Sequence, residues 1–356
     1  MASPQTPPLG FGIVGIGLIA DFHAQAIAGL AGCRLVGVCG RSQEKADAFA
    51  RKHQVGFATT DLEALLALPG LDVVCVATPS GAHLEPALAA ARAGKHIVIE
   101  KPIEITLPRI DALLEASRHS KVKVLPIFQA RYGEGARRIK SALLAGRFGR
   151  LVLASAYVKW HRSAAYYEKS WHGTQALDGG GALINQAIHA VDLLQWFMGM
   201  PTDVFCWSTR RVHTAIEVED TATATLRFAG GALGTIEATT AAYPGWARKI
   251  EICGDGGSVI LEDDHLVRWD FRQPQPEDAA IAAAPTDATM RSGASAPGSI
   301  SHHGHQRQMQ NLVDSIRTNA RLEVDGPEAR KAVALILALY ESARTHLPVQ
   351  LGPPPV

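Results

Sequence analysis

Read for apolar and polar positions, the chain opens with short apolar runs set between amphipathic stretches. Leu9 to Val14 reads as a buried parallel strand, and a helical pattern follows through Leu30. Leu35 to Cys39 predicts a second strand, Glu44 to His53 and Asp61 to Leu68 two helices, and Leu71 to Ala77 a third strand. A helix over Leu84 to Ala93, the apolar run Ile97 to Ile99, a helix over Leu107 to His119 and a strand over Lys121 to Phe128 continue the series. Strand and helix alternate throughout, which predicts a doubly wound, parallel α/β sheet.

After Phe128 the pattern changes. Gln129-Ala130-Arg131-Tyr132-Gly133 is a polar crossover, Gly135 to Ala145 a helix and Leu151 to Trp160 a long strand. Val204 to Arg211, Thr221 to Phe228, Ala232 to Thr240, Lys249 to Cys253 and Ser258 to Leu261 come next, several alternating apolar residues with Thr or Ala. That alternation predicts a large, mostly antiparallel open sheet with one face covered. Residues 273–301 are rich in Pro, Ala, Ser and Gly and read as a long mobile loop or lid edge. Two helices, Gln306 to Thr318 and Glu328 to Arg344, close the chain, with Pro327 tolerated in the first turn of the second. The reading is a Rossmann-type domain over 1–128 and an α+β domain over 129–356. The free face of the second sheet, bearing small and hydrophobic residues, is the expected surface of a homodimer or homotetramer.

Composition narrows the class. At 356 residues the chain is too long for one ordinary core, so two domains are expected. Hydrophobic residues make up 47% and charged residues 19%, the balance of a folded, soluble protein. A net charge of +1 points to neither nucleic acid nor an anionic membrane. Cys33, Cys39, Cys75, Cys206 and Cys253 are scattered and read as core thiols of a reducing, cytoplasmic compartment. Residues 1–8 lack the apolar core of an export signal, and no apolar run is long enough to cross a bilayer.

Candidate chemistry begins at Gly15-Ile16-Gly17-Leu18-Ile19-Ala20, a G-x-G-x-x-A in a strand–turn–helix setting. The first glycine allows the tight turn, the second a close pyrophosphate and the small third residue helix-on-strand packing. The second strand ends in Gly40-Arg41-Ser42, without the acid that would bind the ribose 2′-hydroxyl of NAD. Arg41 and Ser42 suit a 2′-phosphate, which tilts the choice from NAD to NADP; the competing view is that Arg41 stacks on adenine and either cofactor binds. Thr78 and Pro79 end the third strand, and His83 heads the next helix as a cap or packing residue. Glu100-Lys101-Pro102 ends the strand after that. Lysine there suits chemistry because desolvation takes its proton more readily than arginine's, and X–Pro bonds carry little penalty for cis. The plain alternative is a surface salt pair before a loop-starting proline.

Trp171-His172-Gly173-Thr174 and Asp178-Gly179-Gly180-Gly181 precede a predicted helix bearing Leu183, Asn185, His189, Asp192 and Trp196. Asn185 and His189 are four apart, on one helical face, with Asp192 a turn further. A buried histidine bonded to Asp192 is one explanation, and a general base near neutral pH is the other. His302-His303-Gly304-His305 has a metal-like look, but it heads an amphipathic helix with no carboxylate or cysteine in its company, so no metal is expected.

Together the G-x-G-x-x-A turn, the run Ala93-Gly94-Lys95-His96 leading to Glu100-Lys101-Pro102, and Gly179-Gly180-Gly181 leading to His189 and Asp192 resemble the Gfo/Idh/MocA oxidoreductases. The match extends over nearly the whole chain. Trp171, Gly173-Thr174, Asp178-Gly179-Gly180 and Asn185-Gln186 resemble in particular the branch of UDP-N-acetylglucosaminuronate 3-dehydrogenases, from which Gly40 departs. The resemblance implies hydride transfer between NAD or NADP and a ring hydroxyl of a sugar, sugar acid or cyclitol, with Lys101 and His189 as the catalytic pair. It sets the cofactor against Gly15, Gly17, Leu18, Ile19, Arg41, Ser42, Thr78, Pro79, His83, Glu100, Lys101 and Gln129. Substrate would meet Lys101, Arg131, Tyr132, Trp171, Asn185 and His189. Family members often carry Asp where Asn185 stands, and Asn cannot be the anion that raises His189 basicity. The competing functions are dehydrogenation of a non-sugar cyclic alcohol such as a dihydrodiol, non-catalytic nucleotide sensing, and glycoside cleavage with transient use of NAD.

Overall fold

The computed structural model of the chain describes residues 7–168, 170–284, 293–294 and 301–352, so residues 285–292 and 295–300 of the loop expected over 273–301 lie outside the described residues. The chain forms two compact units, Met1–Gln129 with His302–Arg330, and Ala130–Ser301 with Lys331–Val356.

The first unit runs β1 (Leu9–Val14), α1 (Leu18–Ala28), β2 (Cys33–Cys39), α2 (Gln43–His53), β3 (Ala58–Thr59), α3 (Leu62–Leu66), β4 (Val73–Val76), α4 (Leu84–Arg92), β5 (His96–Ile99), α5 (Leu107–His119) and β6 (Val124–Pro126). Its six strands are ordered β3-β2-β1-β4-β5-β6 and pair in parallel throughout. The strands read as continuous apolar runs because both sheet faces are covered; all four residues of β4 are fully buried. Strand order reverses between β1 and β4. Open α/β sheets bind ligands at such a switch point, outside the carboxyl ends of the strands.

The second unit contains α6 (Glu134–Leu144), β7 (Leu151–Lys159), α7 (Ala164–Tyr167), a π-helical turn (Ala182–Ala187), α8 (Ile188–Met198), β8 (Asp203–Thr209), β9 (Thr221–Arg227), β10 (Leu233–Thr239), β11 (Lys249–Gly254), β12 (Gly257–Glu262), β13 (His265–Phe271) and α9 (Asp278–Ala282). The chain ends with α10 (His303–Thr318), α11 (Gly326–Thr345) and β14 (Val349–Gln350). The eight-stranded sheet is ordered β13-β12-β11-β7-β10-β9-β8-β14, antiparallel except where β10 pairs with β7. On β9, Ala222, Ala224 and Leu226 are buried while Thr223, Thr225 and Arg227 are exposed, the alternation expected of a sheet covered on one face.

Residues 302–330 differ from their expected place in the second domain. Met309, Leu312 and Val313 on α10 are completely buried in one cluster with Ala20, Ala24 and Ile27 of α1, so the amphipathic face of α10 finds its cover in the first unit. Gln308 fixes this helix to the end of β6, accepting from the Phe128 amide (2.9 Å) and donating to the Pro126 carbonyl (2.7 Å).

Candidate functional site

In the first unit the glycine turn is built for close approach. Gly15 has φ +92°, and a Cβ there would lie 2.5 Å from the Ala77 carbonyl oxygen, so only glycine lets β1 turn against the end of β4. Gly17 is the extended N-cap of α1 with no side-chain cap, and nothing lies within 4 Å of where its Cβ would be. The space beside Gly17 is open, and the first amides of a helix have no intrahelical partner, the arrangement that takes a phosphate. Ala20 is fully buried and Ile19 half-buried, while Leu18 is 56% exposed. A dinucleotide fits these residues.

At the end of β2, Arg41 is exposed and the Ser42 hydroxyl accepts from the Lys45 amide as the cap of α2. A Cβ at Gly40 would lie 2.4 Å from Ile16 Cδ1, so the Ile16 side chain fills the place an acid there would take. Thr78 Oγ1 donates to the Ala82 carbonyl (2.8 Å), and Pro79 leads into a short 3₁₀ turn. Half-buried Gln129 keeps a buried Oε1 without a hydrogen-bond partner among the described residues, an acceptor that suits a ligand group.

Two residues assigned to the cofactor are otherwise engaged. The buried His83 ring has its nitrogens 2.9 Å from the Pro102 and Thr78 carbonyl oxygens. Carbonyls only accept, so a neutral ring donates to one of them at a time and the imidazolium to both. Burial pushes the His83 pKa down, opposed by the two carbonyls, Glu100 and Glu104. His83 thus braces the ends of β4 and β5. The Glu100 carboxylate is also turned to the protein: Oε1 accepts from His23 Nε2 (2.8 Å) and His305 Nε2 (3.2 Å), and Oε2 from the Lys101 amide (3.1 Å). Burial works to raise its pKa, but the two imidazoles outweigh it and hold the carboxyl well below the usual range. Only its main chain is left for a dinucleotide. The Lys101–Pro102 bond is cis.

The same contacts correct the view that His302–His305 has no carboxylate in its company. His23, Glu100 and His305 are all buried, with one ligand atom from each lying within 4.8 Å of the others. A metal-bound histidine almost always donates its second ring N–H to a partner. Nδ1 of both His23 and His305 has none among the described residues, so the set reads as a carboxylate gripped by two imidazole donors.

In the second unit the glycine triplet marks another close approach. A Cβ at Gly180 would lie 2.2 Å from Tyr340 Oη, and one at Gly181 only 1.7 Å from the Glu219 carbonyl oxygen. The Glu219 carboxylate caps the next turn of the chain, accepting from the Gly181 amide (2.8 Å), the Leu183 amide (2.9 Å) and the Tyr340 hydroxyl (2.9 Å). Burial pushes its pKa up to about 7 against those donors. The capped segment, Ala182–Ala187, is a π-helical turn rather than the first turns of the uniform helix expected, so four residues no longer mark one full turn between Asn185 and His189. Such turns occur often at functional sites. His189 comes next, half-buried, in the first turn of α8.

Around this turn stands a polar and aromatic cluster. Asn185 Nδ2 donates to Asp178 Oδ1 and lies 3.3 Å from His172 Nδ1, and Asn185 Oδ1 accepts from Gln186 Nε2 (3.1 Å). The His172 ring stacks on Tyr166 (centroids 4.4 Å apart) and touches Trp171 (3.9 Å). Gln186 also donates to Tyr166 Oη (3.1 Å) and accepts from Arg162 Nη2 (2.8 Å). Trp171 and Asn185 are thereby brought together. Arg162, Tyr166, Glu219 and Tyr340 were not singled out from the sequence, and Gln186 only as part of the branch resemblance. The signals were slight, a tyrosine pair in a polar stretch and two acids, Glu219-Asp220, before an apolar strand.

Arg131, expected to meet substrate, has a carboxylate partner within the protein. It is 3% exposed, and Nε and Nη2 donate to the two oxygens of Asp192 at 2.7 and 2.6 Å, with the guanidinium over the Trp196 ring. A buried cation needs such a partner, and the pair ties the Arg131 segment to α8. Tyr132 is 5% exposed and lies under the Arg137 guanidinium.

Residues 9–128 match the oxidoreductase family with an NAD-binding Rossmann fold, and residues 136–260 match the GFO/IDH/MocA C-terminal domain. Among solved structures, the chain is similar to the WlbA dehydrogenase from Bordetella pertussis in complex with NADH and UDP-GlcNAcA, at 31% identity and TM-score 0.86 over 97% of this chain and 99% of that one. The WlbA dehydrogenase from Chromobacterium violaceum, with the same ligands, gives 30% identity and TM-score 0.87 over 98% and 97%. The myo-inositol 2-dehydrogenase of Thermotoga maritima is 26% identical over 71% of this chain and 75% of that protein. With both domain types in order along the chain, and a relative of this identity matched from end to end, the protein belongs to the GFO/IDH/MocA family of oxidoreductases.

Proposed function

We propose that the protein transfers hydride reversibly between a ring secondary hydroxyl of a sugar, sugar acid or cyclitol and NAD(P), with Lys101 and His189 as the catalytic pair. The observation that carries this reading is the position of Lys101, just past the carboxyl end of β5 in a sheet whose glycine turn lies one strand beyond β4. Relatives matched over most of the chain, two in complex with NADH and UDP-GlcNAcA and one named for myo-inositol, support the substrate class. A bound nicotinamide supplies the hydride acceptor or donor. The His189 imidazole takes the hydroxyl proton as general base, and the Lys101 ammonium hydrogen-bonds the same oxygen and stabilises its developing charge. Trp171, Asn185 and Tyr132 orient the ring. The aromatic rings of Tyr166, Trp171 and His172 favour, as a second reading, a non-sugar cyclic alcohol.

Exposed Arg41 beside Gly40 favours NADP, its guanidinium meeting the 2′-phosphate. The uncovered face of the eight-stranded sheet is the homodimer or homotetramer surface: Leu153 and Leu233 are register partners, 42% and 54% exposed, and Trp207 is 56% exposed. Among the described residues no helix is long and apolar enough to cross a membrane, and the five free cysteines fit a reducing cytoplasm. The test is reduced-nicotinamide absorbance with NAD and NADP separately, across sugars, uronates and inositols. Lys101→Ala and His189→Ala should each keep cofactor binding and lose turnover by about 10²–10⁴-fold. Unchanged turnover in both would overturn the mechanism.

A further inference from the structure

Building on that reading, we infer that Arg162 recognises an anionic group, a carboxylate or a phosphoryl substituent, on the substrate, and so sets specificity for an acidic sugar. Arg162 lies between β7 and α7 and is 3% exposed. Its Nη1 donates to the His161 and Ala294 carbonyls (2.9 and 3.0 Å) and its Nη2 to Gln186 Oε1 (2.8 Å), while Nε is buried with no partner. The rings of Trp160 and Tyr166 flank the guanidinium at 5.1 and 5.5 Å. Every one of these neighbours is neutral, and among the described residues no carboxylate pairs with Arg162.

A buried charge is costly unless it is paired, and arginine, unlike lysine, does not escape by losing its proton. The other buried arginines of this unit are answered by acids: Arg131 by Asp192, and Arg248 by the fields of Asp263, Asp264 and Asp192. The carboxylate of the cluster itself, Asp178, is committed to the Gly173 amide and to Asn185. No acid among the described residues supplies the counter-charge, and the inference gives that part to a ligand. An anion taking Nε and one Nη would find the two-pronged geometry that suits carboxylate and phosphate. The place is apt, because Gln186 links Arg162 to Asn185 and both sit on the π-helical turn that leads into His189.

The experiment is calorimetric titration of the wild-type protein loaded with reduced cofactor. The probes are UDP-N-acetylglucosaminuronate against UDP-N-acetylglucosamine, and glucuronate and glucose 6-phosphate each against glucose. Within each pair the acid should bind roughly 10–100-fold more tightly, the range of a charge-assisted hydrogen bond. Whichever of the carboxylate and phosphoryl arms shows the gain names the anion. Arg162→Gln should reduce the acid to the affinity of the probe lacking the added anionic group, and Arg162→Lys should restore part of the difference. Equal binding of acid and neutral probes by the wild type would overturn the proposal, whether or not the glutamine variant folds. So would a glutamine variant that weakens both probes alike. Binding is read without turnover, so the catalytic role of Lys101 and His189 can fail while this assignment stands, and the reverse.

Discussion

Arg131 and Arg162 are buried to the same degree, and the difference between them is a carboxylate. Nothing local in the sequence separates them, because the partner of Arg131 lies 61 positions away, and that of His305, Glu100, 205 away. Gly15, Gly17 and Lys101 were legible because a backbone requirement or a strand end announces them within a few residues. Glu219 was not, since its three donors come from two distant segments. Its behaviour gives a pH test. With a folded pKa of about 7 against 4.5 for the free group, the folded state holds more protons across that window. Stability is therefore greatest below it and falls as pH rises through it, by about 1.4 kcal/mol per unit and about 3 kcal/mol in all at most. Urea unfolding at about pH 5 and about pH 8 should show this loss in the wild type, and Glu219→Gln, which does not titrate, should remove that share of the slope.

Among elements, α5 is observed over the residues its pattern predicts, Leu107–His119, because strong periodicity and a proline in the first turn leave little choice. β13 was missed for a physical reason. Its register against β12 shifts between Ile260 and Leu261, which turns Leu266 and Trp269, three positions apart, to the same buried side and breaks the alternation a strand should show. The π-helical turn escaped notice because its buried residues carry the apolar pattern of an ordinary helix. Two glycines should separate fold from function at this scale. Gly17→Ala enters open space and should leave the denaturation midpoint unchanged while weakening dinucleotide binding, measured by cofactor titration. Gly181→Ala forces a Cβ against the Glu219 main chain and should lower stability by about 3 kcal/mol.

For the whole molecule, the prediction concerns the uncovered sheet. Leu233→Glu combined with Trp207→Glu places charge on an exposed face, and sedimentation should show a smaller species with unchanged circular dichroism if that face joins protomers. The α/β and α+β classes, the nucleotide turn, the Lys101 corner and the polar run leading into His189 could all be read from the chain, since each is written in local periodicity or in a backbone demand met by neighbouring residues. The return of α10 to the first unit, the engagement of His83, Glu100 and Arg131 with protein partners, the π-helical turn and the uncompensated Arg162 could not. Burial and pairing of charge depend on which distant segments fold against one another, and one sequence without its fold does not carry that information.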